Sequence, residues 1–208
     1  MQPHTPTSAS RSLAGITALA IATLIAPLQG IASGGSPSFN CAKASGQVEQ
    51  LICSDASLAG LDRQMAATYA KAMRNWPAAV AKEQQAFQIG WIKGRNDCWK
   101  SDDPRDCIRN AYQSRLVELQ IQGGLVEAPT AIGYRCKGQQ RQPVMAAFYN
   151  NTNPKAAVLT VGDDQVIAIH APSGSGTRYT ASNVEFWEHQ GTATIQWFGT
   201  SLSCKAKP

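Results

Sequence analysis

The apolar residues of this chain keep two different rhythms, and the switch between them limits the fold more than any other feature. From Cys53 to Gln122 they recur every three or four residues: Leu58, Leu61, Met65, Tyr69, Ala72 and Trp76, then Ile108, Ala111, Tyr112, Leu116 and Leu119. That spacing lays them along single helix faces. Val80, Phe87 and Trp91 fall on a helix between the two, with Pro77 at the break, where proline ends one helix or opens the next. Asp103-Pro104 reads as an N-cap followed by proline at the first helical position. With a short helix around Val48–Ile52, the first part is a small bundle of three to four helices. From Ile132 the rhythm changes to short β-branched and aromatic runs: 132–136, 144–149, 156–161, 165–170, 184–187, 192–197 and 201–204. Turn residues separate them, among them Asn150–Pro154, Gly162-Asp163-Asp164, Gly191 and Phe198-Gly199. Seven or eight strands in about 75 residues mean a small antiparallel barrel or sandwich. Between the two rhythms, residues 123–131 have no period and read as a linker.

The N-terminus reads as a leader. Arg11 precedes the apolar run Leu13–Ala26, and a small-residue exit, Gly30-Ile31-Ala32-Ser33, follows. This is the pattern of a secretory signal peptide cut after Ala32. The run is shorter than the ~20 residues a spanning helix needs, so the mature chain is expected without an integral membrane segment, periplasmic or secreted. No Leu-x-x-Cys-like box precedes Cys41, so no lipid anchor is expected there. The expected division is leader 1–32, a short linker 33–38, a helical domain 39–122, a linker 123–131 and a β-domain 132–208.

Export agrees with the six cysteines, an even number that reads as disulfides in an oxidising compartment. Cys136 and Cys204 stand at the two ends of the β-part, so one bridge would tie its first strand to its last. In the helical part Cys41 and Cys53 flank the first short helix, and Cys98 and Cys107 flank a turn between helices. Those local pairs are the expected ones, among the three connectivities that four cysteines permit.

Charge and motifs exclude more than they assign. Residues 132–208 carry seven basic against four acidic side chains, with no long basic run and no arginines interleaved with aromatics. Nucleic-acid binding therefore has no support. There is no Cys-x-x-Cys for a zinc site, and a metal or other cofactor is not expected. Neither Gly-x-Ser-x-Gly nor Gly-Lys-Ser/Thr occurs, and the histidines after the leader, His170 and His189, lie in β-rich sequence with no acid at a telling distance. The chain is not expected to be an enzyme. One stretch stands out: Ser173-Gly174-Ser175-Gly176 before Thr177-Arg178-Tyr179, with Phe186-Trp187 following. A flexible polar tip between aromatic anchors suits binding.

Those residues carry a resemblance. Tyr134-Arg135-Cys136, the run Val144–Ile169, Ser173–Tyr179, Phe186–Thr194 and the late Cys204 together resemble the MliC family, bacterial inhibitors of c-type lysozyme built on a small β-barrel. The likeness covers about residues 132–205, and its Ser-x-Ser-Gly-x-Lys/Arg-Tyr element is its most specific part. Residues 39–69 with Trp91, Arg95–Cys98 and Arg115 resemble the LprI-type N-terminal domain, also associated with lysozyme inhibition. The resemblance implies an α+β two-domain protein, a disulfide-bonded helical bundle followed by a small antiparallel β-barrel. It also implies a c-type lysozyme as partner, with the Ser/Gly loop 173–178 inserted into the active-site cleft. The residues expected there are Ser173, Ser175, Arg178, Tyr179 and His189. The inserted serine is carried to Ser173 first and Ser175 second.

His189 departs from the family pattern, which usually reads Phe-Trp-x-Lys-Gly and places a lysine where this chain has an imidazole. Arg178 is the candidate replacement cation, although a cross-strand pair with Glu185 or Glu188 would occupy it. Two other readings remain in view. One makes the β-domain an envelope-binding module for a glycan or protein, and the other makes the helical domain the functional part.

Overall fold

The computed structural model describes residues 35–137 and 139–208, so the expected leader lies outside the described residues. Four helices come first: α1 (Gln47–Ser54), α2 (Ala56–Asn75), α3 (Ala78–Asn96) and α4 (Pro104–Gln122). The local signals that set their ends are those of ordinary capping chemistry. Asp55 accepts from the N–H groups of Ser57 and Leu58 at 2.8 and 3.0 Å and starts α2. Asp103 accepts from Asp106 N at 3.0 Å, with Pro104 in the first turn of α4. Gly123 caps the end of α4 where only glycine fits: a Cβ there would stand 2.6 Å from Ala72 Cβ. The chain thereby brings the end of α4 against α2, and Trp76 Nε1 donates to Gln122 O at 2.8 Å.

The helical core gathers Val48, Ile52, Leu58, Met65, Ala72, Ile108, Tyr112, Leu116 and Leu119. At its centre lies a polar cluster. Tyr112 donates its hydroxyl to Asp62 Oδ1 at 2.7 Å and accepts from Arg95 Nη1 at 2.7 Å. The Arg95 guanidinium also lies over the Trp91 and Tyr112 rings, 5.5 and 5.4 Å from their centroids. Arg115 donates to Gln88 Oε1 and to Glu118 Oε2. Burial pushes the Tyr112 hydroxyl well above the usual phenol range. The buried residues of α3 are Gln88 and Arg95, with Trp91 packed against the core beside them, while Phe87 and Ile89 are exposed.

Residues 35–38 are not a loose tether. Ser38 donates from its backbone N–H to Asp62 Oδ2 at 2.6 Å, and Arg63 Nη1 donates to Ser36 O at 2.8 Å. Pro37 is buried. The carboxylate of Asp62 has lone pairs left after Tyr112, and the incoming chain fills them.

Eight strands follow: β1 (Ile132–Cys136), β2 (Gln139–Tyr149), β3 (Ala156–Val161), β4 (Asp164–Ala171), β5 (Thr177–Ala181), β6 (Val184–His189), β7 (Thr192–Trp197) and β8 (Thr200–Ala206). Each pairs antiparallel with the next, and β8 returns to β1, so the sheet closes into a barrel with no free edge. Strand alternation sends Val144 and Ala146, Leu159 and Val161, Phe186, and Ile195 inward, around the rings of Tyr134 and Tyr179. Three disulfides join Cys41–Cys53, Cys98–Cys107 and Cys136–Cys204. The last links Cα partners of β1 and β8, the strands that close the barrel.

The outer wall of β2–β4 is apolar as well, and α4 covers part of it. Val117, Tyr149 and Ala156 form a separate small core, with Ile121, Val126, Val158, Ile167 and Ile169 packed against it. The connecting segment 123–131 takes part: Leu125 packs on the helical core and Val126 on this shared one.

Candidate functional site

The Ser/Gly stretch forms the loop between β4 and β5, with residues 172–177 exposed. It stands beside the turn between β6 and β7, because Thr177 pairs with Glu188 and His189 with Thr192. The loop is narrow by necessity. Gly176 has φ +69°, and a Cβ there would run into the Glu188 carbonyl oxygen. No other residue type fits that close approach.

The loop is also held. Ser173 donates its hydroxyl to the Ser175 carbonyl and accepts from Ser175 N at 3.3 Å. The same carbonyl accepts from Trp187 Nε1 at 2.9 Å. Trp187 in turn lies flat against His189, ring centroids 5.6 Å apart and planes 10° from parallel. Among the described residues the Ser175 hydroxyl makes no hydrogen bond within the chain, and it points from an exposed position.

The five residues singled out by sequence separate into different roles. Ser173, Ser175 and His189 lie at this edge. Arg178 is engaged: its Nε donates to Glu185 Oε2 at 3.0 Å across the β5–β6 pair. Its charge is therefore compensated, because β-sheet geometry places Arg178 and Glu185 on the same outer face. Tyr179 faces the other way. It is 3% exposed, inside the barrel core between Phe148 and Phe186, and alternation from its neighbour Arg178, which faces outward to Glu185, sends it inward. Burial raises its hydroxyl pKa. It supports the loop's strand from behind and does not reach a surface.

Two residues at the edge were not on the sequence list. Trp187 is the alternate neighbour of the inward Phe186, so period two alone places it outward, but its bond to the Ser175 carbonyl has no sequence signal. Glu188 lies at the barrel end beside Tyr134. Burial first, with that carboxylate adding to it, pushes the Tyr134 hydroxyl up to about 12. Among the described residues no group of three or more His, Cys, Asp or Glu side chains is placed to hold a metal. No helix among them is long and apolar enough to cross a membrane. An open trough of about 900 Å³ lies elsewhere, between α4 and the outer face of β2–β4, lined by Ile121, Met145, Val158 and Ile167 among others.

The β4–β5 loop is thus narrow, braced and exposed at one end of a small closed barrel. The profile of the family described as MliC, membrane-bound lysozyme-inhibitor of c-type lysozyme, matches residues 134–203, from β1 into β8. Proteins named lipoprotein LprI from Mycobacterium bovis and Mycobacterium tuberculosis are 36% identical to the chain over 192 residues, covering 91% of it and 95% of theirs. The chain belongs to the LprI family and carries an MliC domain as its β-barrel. A solved structure, Pseudomonas aeruginosa MliC in complex with hen egg white lysozyme, is 23% identical, covering 39% of this chain and 88% of its own, with a TM-score of 0.31.

Proposed function

We propose that the chain is an exported protein inhibitor of c-type lysozyme that presents the β4–β5 loop to the enzyme's active-site cleft. It performs no chemistry of its own and acts in the periplasm or outside the cell. The observation that carries this reading is the Ser175 hydroxyl, unengaged among the described residues at the tip of a held, narrow loop. A c-type lysozyme works with two carboxyl groups in a cleft. A hydroxyl donor on a thin backbone can reach such groups, and a loop ordered beforehand loses less entropy on binding. The MliC profile match and the LprI relatives supply the target class.

Within this reading Ser175 is the donor offered to the cleft, and Ser173 holds the loop's shape. That reverses the order taken from the resemblance. Arg178 supplies no free cation, so His189 is the basic side chain left beside the loop. An imidazolium pairs with an ionised carboxylate more strongly than a neutral imidazole does, so stronger inhibition is expected in acid than at neutral pH.

The test is lysis of sensitive bacterial cells by a c-type lysozyme at pH 5.5 and 7.5, with the oxidised protein titrated in. Stoichiometric inhibition, stronger at pH 5.5, is expected. Ser175→Ala should weaken it more than Ser173→Ala, and His189→Gln should reduce the difference in inhibition between the two pH values. The enzyme titrates too, so the His189 variant is the control. Absence of inhibition at both pH values, with the disulfides verified, would overturn the reading and favour an envelope ligand.

A further inference from the structure

The edge described above is made from two separate connections, the β4–β5 loop and the β6–β7 turn. One side chain touches both. Trp187 donates Nε1–H to the Ser175 carbonyl at 2.9 Å, and its ring face stacks on His189 at 5.6 Å and 10°. It is 36% exposed, so little of the barrel core depends on it. The bond fixes the carbonyl of the very residue whose hydroxyl stays free. Rotation of the Ser175–Gly176 peptide, or a shift of Ser175 away from β6, has to break it. Gly176 contributes no side chain to resist such a rotation, and its contact with Glu188 leaves the loop one close approach to β6. The stack holds the imidazole against the same indole, so loop and turn share a single support.

We propose that Trp187 is the positioning residue of this edge, tying the Ser/Gly loop and the His189 turn into one preordered surface for a partner's acidic cleft. It acts through Ser175 and His189 and does not itself contact the partner. The proposal rests on the lysozyme reading only for the identity of the partner. The tie is a property of the free protein.

Two substitutions separate its two contacts. Trp187→Phe keeps an aromatic face for His189 and removes the N–H. Trp187→Leu removes both. Amide hydrogen exchange on the free oxidised protein is the first readout. Trp187→Phe should speed exchange of the loop amides 174–176 by roughly three- to tenfold, the worth of one hydrogen bond, and leave 189–191 unchanged. Trp187→Leu should loosen both, and the melting temperature should stay near that of wild type in each. Loop exchange that is the same in Trp187→Phe and wild type would overturn the tie, whether or not the protein inhibits lysozyme.

The second readout is a double-mutant cycle on inhibition of a c-type lysozyme. If Trp187 works through Ser175, Trp187→Phe should weaken inhibition in the wild-type background and have little further effect in Ser175→Ala. Fully additive losses would mean that Trp187 touches the enzyme directly, and would overturn the positioning role. A wild-type protein that fails to inhibit would remove the partner and leave the exchange result to decide the tie.

Discussion

The helical part and the barrel use polar side chains in opposite ways. The helical core encloses Asp62, Arg95, Arg115 and Gln88, each 7% exposed or less, and each is hydrogen-bonded within the helical part, to one another, to Tyr112 and Ser38, and to Asn96, Glu118, Gln84 and Met65. The barrel core is apolar and aromatic, and its polar groups stand at the rim, where Ser175 and His189 remain open to a partner. Buried charge that is fully paired specifies a fold and leaves little for a ligand. Open polar groups on a rigid frame do the reverse. On the proposed function, the helices serve structure and the barrel's loop edge serves recognition. The contrast also explains why the two parts belong to one chain. The outer wall of β2–β4 is apolar, and α4 with Val126 covers what would otherwise be bare.

The sharpest way to break this comparison is Asp62→Ala. It leaves the Arg95 guanidinium buried without its carboxylate, and Tyr112 and Ser38 without an acceptor. The expected loss is about 3–5 kcal/mol of stability, read by urea unfolding. Inhibition measured where the variant is still folded should match wild type. Full stability with lost inhibition would make the helical part the functional one.

Gly176→Ala should do the opposite. The added methyl meets the Glu188 carbonyl in a backbone conformation that alanine disfavours. A cost of about 1–3 kcal/mol is expected, taken mainly as a displaced loop, with at least about tenfold weaker inhibition. Calorimetry and the inhibition titration together separate the two effects.

The smallest effect belongs to a helix end. The Arg105 guanidinium, through its hydrogen bond, and then the N–H groups of Leu58 and Ser57 hold the Asp55 carboxyl below its ordinary value of 3.8. A depressed carboxyl contributes stability above that value, and the contribution is lost as pH falls through the lowered one. Asp55→Ala should cost about 1 kcal/mol at pH 7. Urea unfolding in acid should show the difference shrinking, with inhibition untouched throughout.

Much of the fold was legible in the residues because its cues are local. Period three to four gave α2 and α4, Asp103-Pro104 gave the start of α4, and alternation with turn residues gave the strands. β5 was hidden because Thr177–Ala181 follows directly on a Ser/Gly run and holds only Tyr179 as a large apolar residue. β2 was expected from Val144 and begins at Gln139, since Gln139–Gln142 carry no apolar pattern. The inward face of α3 was illegible for the opposite reason. Gln88 and Arg95 are buried by partners on α2 and α4 that no spacing within α3 reveals. At the site, the Ser/Gly loop, Trp187 and His189 could be found by pattern. That Tyr179 turns inward follows from the strand phase, once β5 is known to be a strand. That Trp187 bonds the Ser175 carbonyl depends on two connections meeting in space, and only the folded barrel supplies that.

The central claim is that the β4–β5 loop occupies a lysozyme's substrate cleft. The most direct measurement is calorimetric titration of the oxidised protein into a c-type lysozyme, with and without a saturating short oligosaccharide fragment of the substrate in the cleft. Occupying the cleft should weaken the apparent affinity in step with saccharide concentration, and Ser175→Ala should bind more weakly in its absence. Tight binding unaffected by the saccharide would contradict the account, because the contact would then lie outside the cleft.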